Sequence, residues 1–389
     1  MRISGKIAAA SLVLVTSQAA GAQSLASRIS AVRDGKVRMT FATRDDICGF
    51  GNGISTRNNT RNNWSDSKRS DDVEYDVDCS EGPARVVVQM EGGRAVSLKA
   101  YVGGRWRPAS NVRDIGAVGV KEATHWLLDV ARTQSGKVAS AAIFAATLAD
   151  SVQMAQPLYA FATSSSNPRE AREQAIFWMG QMDDDRVVGY LERILRDSRE
   201  EKMQDKAIFS LSQHRSNRSQ AILKEFAENE NESDKLRGQA VFWLGQSNRG
   251  EGQEYLRSLY SRVRSDELKD KVIFSVSQQR GVDSENWLLD LVSNERESVE
   301  MRKKALFWAG QGGASMSKLS SLYSRMDDRE MKDQMIFVFS QRREAAALDK
   351  LMDIAKNDPD RQARRKALFW LGQSKDPRVA SMLSDMINK

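Results

Sequence analysis

Few side chains in this sequence could carry covalent or metal chemistry. His125 and His214 are its two histidines, Cys48 and Cys79 its two cysteines. Neither histidine lies in an H-E-x-x-H setting, so metalloprotease or triad chemistry has no anchor. Two cysteines without a neighbouring histidine fit a structural disulfide better than a redox or metal pair. Closing a loop of about thirty residues would contribute roughly 3–4 kcal/mol in the chain-entropy account. Asp72, Glu74, Asp76 and Asp78 could surround a cation, but their period of two predicts one solvated strand face. Gly49 to Gly53 is glycine-rich without the strand–turn–helix setting of a phosphate cradle. Ser65-x-x-Lys68 and Ser315-x-x-Lys318 lack the companion motifs of a serine–lysine nucleophile. The sequence therefore offers no catalytic residue, no metal ligand and no cofactor-binding residue.

The elements around these residues fall into two kinds. From Ser24 to about Val112 the pattern is strand-like. Lys36–Phe41 and Asp72–Cys79 alternate polar and apolar residues, and Ala84–Met90 holds the run Val86-Val87-Val88. Gly92-Gly93 before Ala95–Val102 predicts a hairpin, and the polar stretch from Gly49 to Arg69 predicts a long loop.

Beyond about residue 113 one segment recurs. F-x-x-x-Q occurs at Phe177/Gln181, Phe209/Gln213, Phe242/Gln246, Phe274/Gln278, Phe307/Gln311, Phe337/Gln341 and Phe369/Gln373, 30 to 33 positions apart. A degenerate copy at Phe144 has Leu148 in place of glutamine. Each copy holds two amphipathic patterns. Val187, Val188, Leu191, Ile194 and Leu195 typify the first helix, and Leu236, Ala240, Val241 and Leu244 the second. Acidic residues such as Glu267, Glu300 and Glu330 open the second helix, where they favour its N-terminal dipole. Neither helix buries its stripe alone, so the hairpins must stack. The expectation is some seventeen helices from Gly119 onward, the last from Pro377 to Asn388 as a terminal cap.

The Ala-Ile/Val/Leu-Phe-Trp-x-Gly-Gln copies, each with an upstream cation, resemble HEAT repeats and the related lyase-type HEAT-like repeats. With the N-terminal features the layout resembles a family of exported bacterial HEAT-repeat proteins of undefined function, over essentially the whole mature chain. The resemblance implies a superhelical scaffold, a mostly α solenoid with a small N-terminal β region, and brings no catalytic residues with it.

The copies alternate. Trp178, Trp243, Trp308 and Trp370 follow the phenylalanine in odd copies, where even copies have Ser210, Ser275 and Val338. Gly180, Gly245, Gly310 and Gly372 alternate with Ser212, Ser277 and Ser340. The preferred account is packing, each tryptophan filling space left by a neighbour's serine. The alternative is a tryptophan platform for a peptide, glycan or cationic ligand. Gln181, Gln213, Gln246, Gln278, Gln311, Gln341 and Gln373 would form a ladder that satisfies helix-end carbonyls or loop backbone. Arg172, Arg237, Lys269, Arg302, Lys332 and Arg364 stand five residues before the phenylalanine, with Gln204 the exception. Joined by Arg365, they are candidate partner-binding residues, either as a solvated face or as a stripe that docks an acidic partner.

The remaining composition bounds the setting. Lys+Arg 59 against Asp+Glu 52 gives a net charge of +7. Arg2 and Lys6, the apolar run from Ile7 to Val15 and Ala20-Gly21-Ala22 read as a secretory leader over residues 1–22. Its removal lowers the charge to +5. No segment is apolar enough to span a bilayer, which takes ~20 residues. The expected layout is a leader over 1–22, a small β region with the Cys48–Cys79 pair over 23–112, and a HEAT-repeat solenoid over 113–389. The expected role is a non-enzymatic scaffold, periplasmic or secreted, binding another envelope or secreted protein through the solenoid groove or its basic edge. Alternatives are binding of an anionic polymer, glycan or nucleic acid, and a lyase-type enzyme; export makes nucleic acid the least favoured ligand. N-terminal sequencing of the protein recovered from outside the cytoplasm should begin at or near Gln23, and a chain that retains Met1 there would overturn the leader.

Overall fold

The computed structural model describes residues 23–51, 53–56, 70–76, 79–149, 154–182, 184–246, 251–279 and 281–387. The leader, most of the Gly49–Arg69 loop with Ser65 and Lys68, and Val77 and Asp78 lie outside the described residues. The chain divides into two compact units, one ending at Met154 and the other beginning at Ala155.

The first unit opens on a short helix, α1 (Leu25–Ser30), which corrects the strand-like reading from Ser24. Ser24 caps it, its hydroxyl accepting from the Ser27 amide, and Leu25 and Ile29 bury one face. Eight strands follow: β1 (Gly35–Phe41), β2 (Ile47–Phe50), β3 (Gly53–Thr56), β4 (Val73–Glu74), β5 (Ala84–Glu91), β6 (Arg94–Val102), β7 (Arg105–Trp106) and β8 (Val112–Ala117). The main sheet has the order β6-β5-β1-β8. The β5–β6 hairpin turns at Gly92 and Gly93, whose positive φ of 55° and 78° is costly for any side chain. β8 pairs parallel to β1 and continues to Ala117, past the expected boundary at 112. Helices α2 (Val120–Thr133) and α3 (Gly136–Thr147) complete this unit.

The acidic strand is much shorter than its alternation suggested. Among its described residues only Val73–Glu74 pairs with a strand, against Trp106 and Arg105. Val73 is buried against Val87 and Tyr101, and Tyr75 and Trp106 pack on that cluster. The acids have protein partners: Lys36 Nζ is 2.8 Å from Asp72, and Arg105 reaches Glu74 at 3.3 Å and Asp76 at 3.1 Å. Tyr101 donates to Asp72 at 3.0 Å, and burial pushes its phenol up to about 12. Cys48 and Cys79 are joined, their Cα atoms 5.2 Å apart.

The second unit is an α-solenoid of helical hairpins. First helices are α4 (Ala155–Thr163), α6 (Asp185–Asp197), α8 (Asn217–Glu228), α10 (Glu251–Arg262), α12 (Val282–Ser293), α14 (Met316–Tyr323), α16 (Ala345–Asn357) and α18 (Pro377–Ile387). Second helices are α5 (Arg169–Gly180), α7 (Glu201–Gln213), α9 (Asp234–Gln246), α11 (Asp266–Gln278), α13 (Val299–Gln311), α15 (Arg329–Ser340) and α17 (Arg361–Leu371). Their starts are set by capping. Ser265, Ser298 and Asp328 accept from the amides of Leu268, Met301 and Met331, satisfying donors that the helix leaves open. The residue pair before the repeat phenylalanine forms the core in the copies up to Phe337: Ala175 and Ile176, Ala207 and Ile208, and Val272 and Ile273 are fully buried. No described helix is long and apolar enough to cross a membrane.

The alternation has a geometric origin different from the expected one. Ser210 and Ser275 do not make room for tryptophan; they make room for backbone. A Cβ placed on Gly180 would lie 2.6 Å from Ser210 Cβ, one on Gly245 2.8 Å from Ser275 Cβ, and one on Gly310 2.5 Å from Val338 Cγ1. Gly180, Gly245 and Gly310 thus each meet the residue after the phenylalanine in the next even copy, and Ser210 donates to the Ile176 carbonyl at 2.9 Å across that contact. From even to odd copies the tryptophan intervenes, and the second helices share fewer close backbone approaches. Tight and wide interfaces therefore alternate. Gly245→Ala should lower the melting temperature even though alanine is the better helix former by ~1 kcal/mol. Gly189→Ala in α6, where a Cβ would meet nothing within 4 Å, should hold or raise it. Circular dichroism melts of the two variants would check these opposite signs.

Candidate binding face

The rings of the repeat meet along the second helices. Across the tight interfaces the phenylalanines stack nearly parallel: Phe177 on Phe209 at 6.0 Å, Phe242 on Phe274 at 6.1 Å and Phe307 on Phe337 at 6.4 Å. Across the wide interfaces a tryptophan bridges, Trp243 to Phe209 at 4.8 Å, Trp308 to Phe274 at 4.9 Å and Trp370 to Phe337 at 5.4 Å. Each tryptophan also packs on the phenylalanine before it, Trp178 on Phe177 at 5.0 Å being the first. The result is an unbroken file of touching rings from Trp178 to Phe369. Edge-to-face and offset pairs of this kind add about 0.5–1.5 kcal/mol each beyond burial. The rings are half-buried, apart from Phe369 at 57% exposure, so the file shows one side to solvent.

The repeat glutamines run beside it. Helical spacing puts residues three and four apart on one face, so each glutamine follows its phenylalanine and tryptophan onto the solvent side. All of Gln181, Gln213, Gln246, Gln278, Gln311, Gln341 and Gln373 are exposed. They do not bond helix-end carbonyls as a ladder would. Gln213, Gln278 and Gln341 donate only to the adjoining Ser212, Ser277 and Ser340, at 3.1, 3.3 and 3.2 Å. The residue one position later does that work: Gln279 donates to the Gly245 carbonyl at 3.1 Å and Arg342 to that of Gly310 at 3.0 Å. One step of about 100° turns the side chain from solvent toward the preceding helix.

The repeat cations are not a surface stripe. Arg172 and Arg237 are each 6% exposed. Arg172 Nε donates to Ala162 O at 2.7 Å, Arg237 Nε to Ala227 O at 3.0 Å and Arg302 Nε to Val292 O at 2.9 Å. Each acceptor lies in the last turn of the preceding first helix, where carbonyls lack intrahelical partners. Gln204, the sequence exception, makes the same contact to Leu195 O at 3.0 Å. Arg364 donates to Asp358 O at 2.6 Å.

The lysines of even copies do something else. Lys269 Nζ lies 5.2 Å from the Tyr260 ring centre and 3.1 Å from Glu297, which also accepts from the Tyr260 hydroxyl at 2.9 Å. Burial opposes ionisation of Glu297, but the Ser298 amide, Lys269 and Tyr260 outweigh it and hold the carboxyl below its ordinary range. Lys332 lies 5.7 Å over Tyr323, whose hydroxyl donates to Asp358 at 2.7 Å. Burial, then the neighbouring carboxylates, push both phenols well above their usual value. Arg365 is exposed. Two of the lysines three residues before the repeat phenylalanine pair between copies, Lys304 with Asp270 at 3.0 Å and Lys366 with Asp333 at 3.8 Å.

One wide interface opens into a cleft of about 630 Å³. Gln278, Trp308 and Gln311 line it, with Ser284, which is 3% exposed. Ser284 Oγ and Gln279 Oε1 are buried there without a hydrogen-bond partner. Among the described residues no group of three or more His, Cys, Asp or Glu side chains is placed to hold a metal ion.

Fold and repeat together define a HEAT-like helical-hairpin repeat protein. No family profile matches the chain and no curated protein matches it. Among solved structures, human deoxyhypusine hydroxylase in complex with glycerol is 15% identical, over 60% of this chain and 89% of that one, at a TM-score of 0.29. The CpcE–CpcF complex of phycocyanin lyase from a Nostoc species is 15% identical, over 59% of this chain and 94% of that one, at 0.30. A computationally designed self-assembling cyclic homooligomer is 14% identical, over 70% and 87%, at 0.11. Likenesses at these TM-scores bear on neither activity nor ligand.

The arginines should matter to stability rather than to docking. Arg237→Met, which leaves the Ala227 carbonyl without its donor, should cost about 1–3 kcal/mol, and Arg365→Ala less than about 0.5 kcal/mol. Chemical denaturation checks the pair, and equal midpoints would refute the capping role.

Proposed function

We propose that this protein is a non-enzymatic scaffold that works outside the cytoplasm and holds a segment of another envelope or secreted protein against its second-helix face. One observation carries the reading: a continuous file of partly exposed rings with an exposed glutamine beside it in every repeat. Fully buried rings would be core, and isolated exposed rings would be ordinary surface. A contiguous aromatic strip flanked by amides has the make-up of an interface, where aromatic residues supply contact area and polar groups fix position. The basic edge is a weaker candidate, because its arginines cap helices. That removes Arg172, Arg237, Arg302 and Arg364 from the anionic-polymer reading, which needs free cations. In this reading the first unit is the exported, oxidised end of the molecule, with Cys48 and Cys79 as a structural disulfide.

The test compares parent protein with a Trp243→Ala/Trp308→Ala variant as bait in envelope extract. A partner retained by the parent and lost by the variant, with the variant's helix content unchanged, is the expected result. Recovery of the same partner by both would move the site elsewhere, and no partner above an unrelated exported control would end the scaffold reading.

A further inference from the structure

The wide interface between α11 and α13 differs from the strip around it. Its cleft of about 630 Å³ falls in the range of roughly 300–1,000 Å³ that small-molecule sites occupy. Its wall holds polar atoms that packing leaves unserved. Ser284 is 3% exposed, and neither its Oγ nor Gln279 Oε1 has a hydrogen-bond partner. Burying such atoms unpaired is costly. Stacking does not require the hydroxyl. Ten residues after the phenylalanine, the preceding even copy has Ser219 and the following one Ala347, both fully buried. That place needs a small residue, and alanine serves. At Ser284, however, the cleft runs alongside. Rotation about χ1 is enough to turn a serine hydroxyl toward it.

We infer that this cleft binds a neutral saccharide, one sugar ring lying against Trp308 and its hydroxyls taken up by Ser284, Gln279 and the rim glutamines. The open groups are mixed in kind. Ser284 can donate, Gln279 Oε1 accepts, and the exposed amides of Gln278 and Gln311 do both. The helix α12 starts here on Gly281, which supplies no side-chain cap, so the first-turn amides keep no partner within the helix. Glu285 is the one charged residue among the described lining residues, and Lys318 holds its carboxylate at 2.8 Å. An anion would find the donors but meet two acceptors, Gln279 Oε1 and Glu285. A cation would find the acceptors but meet the helix N-terminus and Lys318. A hydroxyl donates and accepts, so it suits both kinds of group. The half-buried Trp308 ring adds a negative face, on which the C–H side of a pyranose can lie. The cations Lys206, Lys271, Arg361 and Arg365 do not line the cleft. Lys271 stands seven residues before Gln278 on α11, about 10 Å along the helix, where exposed charges are largely screened at physiological salt. The site goes beyond the scaffold reading, because it needs this one cleft and not the strip.

The probes are cellobiose and N,N′-diacetylchitobiose, each titrated against the full chain by ligand-observed NMR. Digalacturonate and a capped Gly-Ser peptide serve as comparators. Saturable binding of at least one neutral disaccharide is expected, about 10-fold or more tighter than either comparator. Ser284→Ala should weaken it by about 5-fold or more, from the loss of one neutral hydrogen bond in a buried site. The melting temperature of that variant should hold or rise, because an unpartnered hydroxyl has gone. Trp308→Ala should abolish saturation, whereas Trp243→Ala, one double repeat earlier, should leave the affinity within about 2-fold. No saturation by either disaccharide, equal binding of a comparator, an unaffected Ser284→Ala, or the same loss in Trp243→Ala would overturn the inference. None of these outcomes touches the scaffold reading, which is decided by the protein partner that the bait retains.

Discussion

The close approach of odd to even second helices governs the second unit. Gly180, Gly245 and Gly310 lie where any Cβ would sit within 2.5 to 2.8 Å of a neighbouring side chain. Backbone contact there brings Phe177 over Phe209 and Phe242 over Phe274 as near-parallel stacks. The next interface cannot be equally tight, because the even copy carries no glycine at that point and the following odd copy carries tryptophan. The indole spans the wider gap and picks up the phenylalanine on its far side. One choice of residue size therefore sets the helix spacing, the ring geometry and the double-length repeat.

The same constraint separates structural from available side chains. Cations five residues before the phenylalanine fall on the buried side of the second helix, beside the end of the first. There an arginine fork reaches a last-turn carbonyl, as Arg172, Arg237 and Arg302 do. Lysine, a point charge with no planar fork, instead lies over a tyrosine ring in even copies. Glutamines four residues after the phenylalanine fall on the opposite side and stay in solvent. Positions nine apart on one helix, equally regular in the sequence, thus have opposite fates.

Much of this was legible in the sequence, and what was not has a common cause. The 30- to 33-residue period, the two apolar stripes per copy and the Gly92-Gly93 hairpin all follow from local pattern, and each matches the structure. Periodicity tells which residues share a face but not what lies opposite that face. So Ser210 reads as a partner of tryptophan when it meets Gly180, and the arginines read as a solvated face or a docking stripe when their acceptors lie ten residues back across a loop. The short β4 strand shows the same limit, since the alternation continues through Tyr75 and Asp76 where pairing with β7 does not. In the candidate face the phenylalanine and glutamine positions were evident from the sequence. Their exposure was not, because a regularly repeated polar residue is equally consistent with an internal ladder.

That last ambiguity matters for how repeat proteins are read. Regularity in a solenoid is usually credited to stacking, since every copy must fit its neighbours. Stacking, however, makes no demand on a residue that touches no neighbour. The repeat glutamines of the even copies bond the adjoining serine, and the core residues beneath them already fix the helix. Packing accounts for the glycines, the small partners, the arginines and the inner sides of the rings. It leaves the glutamines and the outer sides of the rings without an assigned role, and those two sets lie on the same face.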